Sequence, residues 1–492
     1  MRVFGLKQLI SELEVVRTAG ELNVEVTGLC RDSRRVRRGD LFVAIRGGEV
    51  DGNRFQERAF AAGAAAVVSE AQPSSDARPF VQVKNARRAL AKLAAAFYGH
   101  PARDLHLIGV TGTNGKTTTA YLIRGALEAA GCRTGLLGTV AYRVADRLLS
   151  PDHTTPDALD LHRYLHEMRA GGQTHVVMEV SSHALAQERT HGLKFQRAVF
   201  TNFSPEHLDF HGDLGNYLWT KARLFHALRR GGLGLVNADD PAAGQLLDRV
   251  AADIWTFGKR AEALVRGKLL SCGPSGLSTV ITWRNVELRV NSALLGEFNL
   301  DNLLAAAAVG FSLGLNPAEI KRGLESVRGV PGRMERFQGG QPFEVIVDFA
   351  HTPAALEKAL RACRRLCKGN LLLVFGCGGE RDRGKRPLMG RTAEQHSDHI
   401  FVTSDNPRGE RPGDIIQEID AGIGDKRKRT LIEDRGEAIR AALATARPRD
   451  LVLISGKGHE TTQEIDGRRL PFDDRTVVRD ALQELGYALA PV

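Results

Sequence analysis

A glycine-rich stretch between Thr111 and Thr118, with the sequence TGTNGKTT, contains residue types that bind phosphate. It follows an apolar segment typical of a buried strand and precedes a segment typical of a helix. Glycines let the backbone turn tightly and present its N–H groups, and a helix N-terminus attracts anions. Lys116 can then reach the outer phosphates of a nucleotide, and the Thr117 hydroxyl group can bind the accompanying magnesium ion. The stretch predicts a nucleoside triphosphate site formed by Gly112, Thr113, Asn114, Gly115, Lys116, Thr117 and Thr118.

The spacing of this stretch departs from the usual phosphate-loop pattern GxxxxGK[ST]. Val110 stands where that pattern has its first glycine, so the stretch is a variant loop. The alternative interpretation is an ordinary strand, turn and helix that contain Gly-Lys-Thr by chance.

Two further segments carry candidate metal ligands. The apolar segment THVVME ends at Glu179, and a carboxylate at the carboxyl end of a parallel strand lies where α/β folds bind ligands. Glu179 is therefore well placed to hold the metal. In the loop SPEHLDFHG, the alternation of His207, Asp209 and His211 suits zinc, a hard cation or simple loop hydrogen bonds. The residues alone leave these alternatives open.

The composition is that of a globular protein with several domains. The chain has 492 residues, too many for one hydrophobic core, and 42% of them are apolar. No apolar run approaches the roughly 18 to 20 residues of a membrane span, and the N-terminus lacks a signal-peptide core. Six scattered cysteines do not indicate a disulfide framework. We therefore expect a cytoplasmic protein that does not insert into membranes.

The net charge indicates anionic partners. It is formally +10, but the basic residues are dispersed and only 6% of the residues are aromatic. No nucleic-acid-binding motif accompanies them. The charge therefore favours nucleotides and carboxylates over nucleic acid as partners. We expect small-molecule substrates and a monomeric chain.

The pattern of elements predicts three α/β domains, at residues 1–98, 99–332 and 333–492. In the first, the segment RDSRRVRRGD places Ser33 either in a site for an anionic ligand or in a surface turn. The second opens with the phosphate loop. In the third, four apolar strands each run into polar or glycine-rich sequence, which predicts a doubly wound sheet with its loops gathered at one edge. The predicted fold class is α/β, with a small N-terminal domain, a central P-loop ATPase-like doubly wound domain and a C-terminal Rossmann-like domain.

Motifs distributed along the chain resemble those of one enzyme family. In order they are TGTNGKTT, EVSSH, TNFSPEHLDFHG with a lysine ten residues beyond His211, NLDN, GRMERF, VDFAHTP, GGERD, DNPR and GKGHE. Together they resemble the ATP-dependent Mur ligases, which build the peptide stem of peptidoglycan. The likeness begins at about Gly28 and covers almost the entire chain.

The resemblance implies a two-step chemistry. In Mur ligases ATP phosphorylates a substrate carboxylate, and an incoming amine attacks the acyl phosphate. Charge builds on the transferring phosphoryl oxygens, so cations must surround them. By similarity, Mg²⁺ is held by Thr117, Glu179 and His207, and Lys221 is carried as a carbamate that supports a second magnesium ion. The implied catalytic positions are Lys116, Glu179, His207 and Lys221, and further nucleotide positions are Asn302, Arg333, Asp348 and His351. For Lys221 the alternative is an unmodified surface lysine.

The resemblance also implies a nucleotide-sugar site between the first two domains. Its positions are Ser33, His153, Thr154, Thr155, Ser181, Gln187 and Arg189. The chain departs from the family pattern at Gly48, Glu49 and Val50, where relatives often have His-Gln-Ala, and at His153, where they have asparagine. These departures concern contacts at the uridine end and leave the phosphate loop intact.

The tetrad DNPR implies the identity of the amino-acid substrate. It consists of Asp405, Asn406, Pro407 and Arg408 on a proline-stiffened turn. A diamino acid with a second carboxylate requires an additional cation, and an arginine fork binds a carboxylate through two hydrogen bonds. Relatives that add lysine usually have Asp-Asp-Pro-Asn instead. The resemblance therefore implies meso-2,6-diaminopimelate, in a pocket completed by Arg381, Gly456 and Glu460.

Three alternative functions compete with this one. The lysine-adding Mur ligases are disfavoured by DNPR, and folylpolyglutamate synthase is disfavoured by the N-terminal domain together with GGERD and GKGHE. A P-loop regulatory or nucleic-acid NTPase, from a different class, would also use Lys116 and Thr117 but would release phosphate without needing an amino acid.

Overall fold

The computed structural model describes residues 3–47 and 50–488. They form two compact units, one from Met1–Lys116 with Ala130–Trp255 and the other from Thr117–Ala129 with Thr256–Val492. No helix within the described residues is long and apolar enough to cross a membrane.

The first unit begins with a five-stranded sheet. Its strands and those beside it are β1 (Phe4–Gly5), β2 (Val15–Ala19), β3 (Glu25–Val26), β4 (Gly28–Cys30), β5 (Asp40–Val43), β6 (Ala66–Ser69) and β7 (Phe80–Val83). The helices are α1 (Leu6–Ile10), α2 (Gln56–Ala61) and α3 (Ala86–Phe97), and short 3-10 turns span Gly52–Phe55 and Pro101–Asp104. The sheet order is β2-β7-β6-β5-β4, parallel except at β2.

The helix α3 shows how the sequence forms this domain. The Asn85 side chain accepts a hydrogen bond from the Arg88 backbone N–H and caps the helix N-terminus. Its alanine and leucine residues recur on one face, which packs into the core beside β6 and β7. The helix ends before Gly99, whose φ of 72° is left-handed.

The central part of the chain supplies a second sheet and its flanking helices. In chain order they are β8 (His106–Thr111), α4 (Lys116–Ala129), β9 (Thr134–Leu137), β10 (Tyr142–Val144), β11 (Arg147–Leu149), α5 (Ala158–Ala170), β12 (His175–Glu179), α6 (Ser182–Ala186), β13 (Phe195–Phe200), α7 (Leu208–His211), α8 (Leu214–His226), β14 (Leu228–Asn237), α9 (Ala243–Leu247) and β15 (Asp253–Gly258). In the first unit the strand order is β11-β10-β9-β12-β8-β13-β14, with β9, β12, β8, β13 and β14 parallel.

This parallel arrangement positions the candidate site. Residues Val176–Met178 in β12 and Leu107–Thr111 in β8 are buried, as expected for strands covered on both faces. The register pairs Glu179 with Val110, so Glu179 ends its strand beside the start of the phosphate loop. The two candidate segments therefore share one edge of the sheet.

The second unit contains the rest of the central region. Its elements are β16 (Val265–Gly273), β17 (Gly276–Trp283), β18 (Val286–Ser292), α10 (Asn299–Ser312) and α11 (Pro317–Ser326). The strands β17 and β18 pair in antiparallel fashion and form a hairpin around Arg284 and Asn285. The α11 N-terminus has a capping box formed by Asn316 and Glu319.

The C-terminal part forms a six-stranded sheet. Its elements are β19 (Glu335–Phe337), β20 (Glu344–Asp348), α12 (Pro353–Leu366), β21 (Leu371–Phe375), α13 (Lys385–His396), β22 (His399–Val402), α14 (Pro412–Asp420), a 3-10 turn (Lys426–Lys428), β23 (Arg429–Leu431), α15 (Arg435–Thr445), β24 (Leu451–Ser455), β25 (Thr462–Ile465), β26 (Arg468–Pro471) and α16 (Asp474–Glu484). The sheet order β19-β20-β24-β21-β22-β23 is parallel from β20 to β23. The four predicted strands are β20, β21, β22 and β24, and their carboxyl ends lie at one edge.

Candidate active site

The phosphate loop joins β8 to α4 in the conformation that its glycines allow. Gly112 and Gly115 have φ values of 146° and 84°, and a Cβ at Gly112 would lie 1.9 Å from Thr201 Oγ1. The Lys116 ammonium group donates to the carbonyl oxygens of Gly112 and Thr113, at 2.9 and 2.8 Å. Two carbonyl oxygens of the loop therefore hold the ammonium group that is predicted to bind the phosphates.

Two residues that follow β13 hold this loop in place. Asn202 accepts from the Asn114 backbone N–H at 2.9 Å and donates to the Asn114 carbonyl oxygen at 3.0 Å. The Thr201 hydroxyl group donates to the same carbonyl oxygen at 2.6 Å. Sequence reasoning missed this role; the only signal was that Thr201 and Asn202 follow an apolar strand directly.

Lys221 lies on α8, and its side chain is buried against the phosphate loop. Its Nζ donates to the Gly112 carbonyl oxygen at 2.9 Å and lies 4.3 Å from the centre of the Tyr217 ring. Burial, followed by the charge of Lys116, lowers the pKa of Lys221 well below its usual value. Lys221 makes no ion pair with any described residue. It is therefore not the surface lysine of the alternative interpretation.

Glu179 lies at the end of β12 with both carboxylate oxygens engaged. The Thr139 backbone N–H donates to Oε1 at 2.8 Å, and the Thr139 hydroxyl group donates to Oε2 at 2.9 Å. The Thr139 Oγ1 also lies 3.2 Å from the hydroxyl group of Thr154. Thr139 thus orients a candidate metal ligand and contacts a candidate substrate residue. Sequence reasoning did not identify it, because nothing at Thr139 itself marks it.

His207 and its neighbours form an aromatic group rather than a recognisable metal cluster. The His207 ring lies edge-on to His183 with centroids 4.6 Å apart, and His211 Nε2 lies 3.0 Å from the Ser182 hydroxyl oxygen. Within residues 3–47 and 50–488, no group of three or more His, Cys, Asp and Glu side chains is arranged to hold a metal ion. The zinc alternative for His207, Asp209 and His211 therefore has no support in the described part of the chain.

The donor chemistry of Glu179 suits a hard cation. Its carboxylate is buried and held at a strand end, and carboxylate, hydroxyl and carbamate oxygens are the ligands that Mg²⁺ prefers. Lys221 as an ammonium group does not fit this set, whereas its carbamate would. The full set Thr117, Glu179, His207 and Lys221 stays a prediction.

The residues expected to bind the nucleotide sugar mostly form one network around the end of β12. The Thr155 hydroxyl group donates to the Glu179 carbonyl oxygen at 2.8 Å and accepts from the Ser181 backbone N–H at 3.1 Å. Arg189 donates to the Thr155 carbonyl oxygen at 2.9 Å and to Gln187 Oε1 at 2.7 Å. The structure thus brings together Thr154, Thr155, Ser181, Gln187 and Arg189.

His153 directly precedes this network in the chain, and Ser33 follows Arg31, which contacts the chain just beyond Thr155. Ser33 is buried in the loop after β4, and its neighbour Arg31 forms a 2.6 Å ion pair with Asp157, two residues after Thr155. The His153 carbonyl oxygen accepts from the Tyr142 hydroxyl group. Burial, and then Arg189, lower the pKa of the His153 side chain. The departures at Gly48 and Glu49 lie outside the described residues.

A carboxylate between Gln187 and Arg189 connects three elements. Glu188 has a left-handed φ of 57° and forms ion pairs with Arg88 on α3 and Arg223 on α8, at 3.1 and 2.7 Å. Burial raises the pKa of Glu188, but hydrogen bonds from His191 and the two arginines outweigh it and lower the pKa to about 2. This residue, which sequence reasoning missed, orients the segment that carries Gln187 and Arg189.

The second unit contains the remaining nucleotide candidates. Arg333 lies over the Phe349 ring at 4.4 Å, and its guanidinium group is 3.4 Å from the Thr117 hydroxyl oxygen. Asp348 ends β20 and accepts from the backbone N–H groups of Met334 and Ala350, at 2.8 and 2.9 Å. Burial raises the pKa of Asp348, and Arg333 opposes this effect.

Asn302 and His351 complete this group. Asn302 accepts from the Thr119 hydroxyl group at 3.1 Å and donates to Asn299 Oδ1 at 2.7 Å. His351 Nδ1 lies 2.9 Å from the Phe349 carbonyl oxygen. Two residues at the start of α4 therefore contact this group. Thr119 contacts Asn302, and Thr117 contacts Arg333.

The DNPR turn is held against the loops that follow β21 and β24. Arg408 has a left-handed φ of 53°, donates to the Gly379 carbonyl oxygen at 2.6 Å and lies 3.4 Å from Glu464 Oε2. The Asn406 amide donates to Glu460 Oε2 at 2.9 Å. A Cβ at Gly456 would lie 2.6 Å from Asp405 Oδ2. Asp405, Asn406, Arg408, Gly456 and Glu460 thus lie in the loops that follow β22 and β24, which contact each other.

Arg381 is the exception among the predicted pocket residues. It lies exposed in the loop after β21 and makes no hydrogen bond or ion pair with the described residues. Its loop is nonetheless tied to the DNPR turn, because a Cβ at Gly379 would lie 1.9 Å from the Pro407 carbonyl oxygen.

A buried ion pair supports the loops that carry Asp405 and Gly456. Arg435 and Asp474 have no exposed side-chain surface and form two hydrogen bonds, at 2.7 and 2.8 Å. Arg435 also donates to the carbonyl oxygens of Ser404 and Ser455, the residues directly before Asp405 and Gly456. The pair is satisfied on all sides, as a buried charge requires. Sequence reasoning did not find it, because its members lie 39 residues apart.

The fold and these residues define a class of protein: a nucleotide-binding α/β protein with a phosphate loop and, at the carboxyl ends of a second parallel sheet, a cluster of charged and polar side chains that includes Arg408 and Glu460. Three family models match the chain in order: the Mur ligase family catalytic domain at residues 25–98, the Mur ligase middle domain at 110–310 and the Mur ligase glutamate ligase domain at 332–458. The chain belongs to the Mur ligase family. The predicted three-domain fold class is thereby confirmed.

Individual relatives are similar to this chain over nearly its full length. The chain is 44% identical over 491 residues to the UDP-N-acetylmuramoyl-L-alanyl-D-glutamate--2,6-diaminopimelate ligase of Solibacter usitatus, covering 98% of this chain and 99% of that one. It is 45% identical over 471 residues to the enzyme of that name from Geobacillus kaustophilus, covering 94% and 96%. A solved structure of a ligase with this name superimposes with a TM-score of 0.68 at 32% identity, covering 99% and 100%.

Proposed function

We propose that this chain is the ATP-dependent ligase that joins meso-2,6-diaminopimelate to the D-glutamate of UDP-N-acetylmuramoyl-L-alanyl-D-glutamate. The observation that carries the proposal is the DNPR turn, in which Asn406 donates to Glu460 and Arg408 donates to the Gly379 carbonyl oxygen. Full-length similarity to ligases named for this reaction supports it. The product is a precursor of peptidoglycan.

The reaction has two steps that the chain's residues can serve. A carboxylate oxygen of the D-glutamate residue attacks the terminal phosphorus of ATP, and ADP leaves. The amine of diaminopimelate then attacks the acyl phosphate, loses a proton and expels inorganic phosphate as the amide forms. Lys116 and the loop N–H groups stabilise the charge on the transferring phosphoryl group. When bound, Mg²⁺ neutralises phosphate charge in the same place.

We assign the other nucleotide contacts to the second unit. The Arg333 guanidinium, already oriented by the Phe349 ring, supplies a further cation beside Thr117. Asp348 and Asn302 are fixed by backbone and side-chain hydrogen bonds, so they can bind without reordering. His351 lies three residues after Asp348 and completes the set.

The nucleotide-sugar substrate is assigned to the network at the end of β12. Thr154, Thr155, Ser181, Gln187 and Arg189 supply hydroxyl, amide and guanidinium groups suited to phosphate and sugar oxygens. Ser33 and His153 extend the site towards the loop after β4. This network includes the Glu179 carbonyl oxygen, which supports a position of the sugar-peptide substrate beside the proposed metal ligand.

Lys221 is proposed to carry a carbamate in the active enzyme. Burying an ammonium group without a carboxylate partner is costly, and the neutral amine that burial favours can add to carbon dioxide with loss of one proton. The product is an anion beside the phosphate loop. It converts the buried amine into a group that can support a second magnesium ion.

Carbon-13 NMR with labelled bicarbonate tests the carbamate. We expect a carbamate signal in the wild-type enzyme and none in Lys221→Ala, whose turnover should fall at least about tenfold. Bare lysine in an active preparation, together with full activity of Lys221→Ala, would remove this role.

Phosphate release from ATP tests the function itself. We expect release to require both the UDP-muramoyl dipeptide and meso-diaminopimelate, and to be much slower with lysine. A regulatory or nucleic-acid NTPase would release phosphate at the same rate without these substrates. That outcome would overturn the proposal.

The remaining proposals concern the domain boundaries, the oligomeric state and the cellular location of the chain. We propose domain boundaries at residues 98/99 and 332/333, for a substrate-binding, an ATP-binding and an amino-acid-binding domain. We also propose that the chain acts as a monomer. We assign it to the cytoplasm, where its nucleotide substrates are made. Small-angle scattering with size-exclusion chromatography measures the oligomeric state.

A further inference from the structure

Lys457 has a buried ammonium group whose donors are all used inside the protein. Its side chain has no exposed surface. Its Nζ donates to Asn406 Oδ1 at 3.1 Å, to Glu460 Oε2 at 2.9 Å and to the Thr462 carbonyl oxygen at 2.7 Å. An ammonium group has three N–H bonds, so none is left for a bound substrate. Any effect of Lys457 on catalysis must therefore act through its partners.

The first of these partners is the Asn406 amide. An ammonium group can only donate, so the amide oxygen must face Lys457. The same oxygen accepts from the Glu464 backbone N–H at 3.0 Å, and the amide nitrogen donates to Glu460 Oε2 at 2.9 Å. The orientation of the amide is therefore fixed by the network.

The second partner is the Glu460 carboxylate. Its Oε2 accepts from both Lys457 and Asn406, which fixes the side chain. Its Oε1 accepts no hydrogen bond from the described residues, and a third of the Glu460 side chain is exposed. One carboxylate oxygen is thus held by the protein, while the other remains available to a ligand.

We propose that Lys457 is a positioning residue of the amino-acid pocket. It sets the orientation of the Asn406 amide and balances the charge of Glu460, so that both groups meet the amino acid in one arrangement. The inference rests on the proposed function, because that function makes Asn406 and Glu460 substrate contacts. Lys457 itself does not touch the substrate.

The variant Lys457→Met tests this role by removing the donors and keeping most of the volume. We expect the KM for diaminopimelate to rise about tenfold or more, because a buried charged hydrogen-bond partner is lost. The KM for ATP and the kcat at saturating substrates should stay within about twofold. A merely structural role would instead lower the yield of active enzyme and leave both KM values unchanged.

Lys426→Met is the matched control in the same domain. The Lys426 ammonium group also binds one carboxylate and one carbonyl oxygen, both of Asp420. It precedes β23 and so lies towards the amino edge of the sheet, away from the strand ends that carry the pocket. We expect all kinetic constants of this variant to match those of the wild type.

Two further variants keep the inference testable if Lys457→Met does not fold. Lys457→Gln retains N–H donors without the charge and should raise the KM for diaminopimelate about threefold or more. Asn406→Asp leaves Lys457 in place but sets a carboxylate oxygen against Glu460 Oε2, and it should raise this KM about tenfold. The double variant Asn406→Asp with Lys457→Gln should show less than the product of the two effects.

The outcomes separate this inference from the proposed function. A wild-type enzyme that forms no amide with diaminopimelate contradicts the proposed function. A wild-type enzyme that does so, while the Lys457 variants keep its KM for diaminopimelate or raise the KM for ATP equally, contradicts only the role of Lys457.

Discussion

At the scale of single residues, the site depends on cations whose surroundings differ. Lys116 is wrapped by its own loop, Lys221 is buried without a carboxylate, and Arg408 is held by a carbonyl oxygen and by Glu464. Cations of the same charge are thus held by different partners in the phosphate loop and in the DNPR turn. The left-handed φ of Arg408 is uncommon for a residue with a side chain, and the backbone hydrogen bond from its N–H to the Glu464 carbonyl oxygen, at 2.9 Å, holds it there.

Arg408→Ala tests the amino-acid pocket at this scale. We expect the KM for diaminopimelate to rise about tenfold to a hundredfold, far more than the KM for ATP, because a charge-assisted pair with the second carboxylate is lost. Steady-state kinetics with each substrate varied in turn measures the difference. The control is Arg427→Ala, an exposed arginine of the same domain that pairs with Asp425. An unchanged KM for diaminopimelate in Arg408→Ala would remove Arg408 from the site.

At the scale of elements, turns between strands and helices bring the site residues together. Gly332 shows how tightly one turn is fitted: it has a φ of 65°, and a Cβ there would lie 2.1 Å from the His459 backbone nitrogen. The turn before Arg333 therefore packs directly against the GKGHE loop. This contact couples a nucleotide candidate to the loop that carries Glu460.

Gly332→Ala should destabilise the protein by about 2 to 4 kcal/mol, because backbone strain and a backbone clash combine. Gly340→Ala is the matched control, since Gly340 has a φ of 85° and open space around its missing Cβ. It should cost only about 1 kcal/mol. Urea unfolding of the two variants measures both effects, and equal losses would show that the contact with His459 is unimportant.

The elements also explain what the sequence could predict. Glycine spacing and apolar runs are local signals, so the phosphate loop, the strand ending at Glu179 and the four C-terminal strands were predictable. The partners that fix these residues were not, because they are distant in sequence. Asn202 holds Asn114 across 88 residues, and Lys457 reaches Asn406 across 51. Side chains such as Thr139 acquire a role only when the fold brings Glu179 to them.

At the scale of the whole molecule, the stability of the first unit should depend on pH through a buried histidine. His162 on α5 is 2% exposed, and neither ring nitrogen has a hydrogen-bond partner among the described residues. Burial, and then the charge of His100, lower its pKa from 6.5 to about 4. The folded state therefore excludes a proton that the unfolded state binds. Stability is complete above the unfolded pKa and is lost as the pH falls from about 6.5 towards 4.

His162→Leu should reduce this pH dependence. Between about pH 7.5 and pH 5, a shift from 6.5 to about 4 corresponds to roughly 2 kcal/mol of stability, which the variant should no longer lose. Urea unfolding of the full chain at both pH values measures this difference in stability. His226→Gln, at an exposed histidine, should keep the wild-type dependence. If His162→Leu and the wild type lose stability equally, His162 does not cause the effect.

The central claim is that a phosphoryl group from ATP activates the D-glutamate carboxylate for attack by diaminopimelate. Mass spectrometry of the products, after incubation with ATP, Mg²⁺, UDP-muramoyl dipeptide and meso-diaminopimelate, tests it directly. We predict one new species, the dipeptide extended by one diaminopimelate residue through an amide, in equal amount to the ADP and phosphate formed. ADP and phosphate without that species would contradict the account.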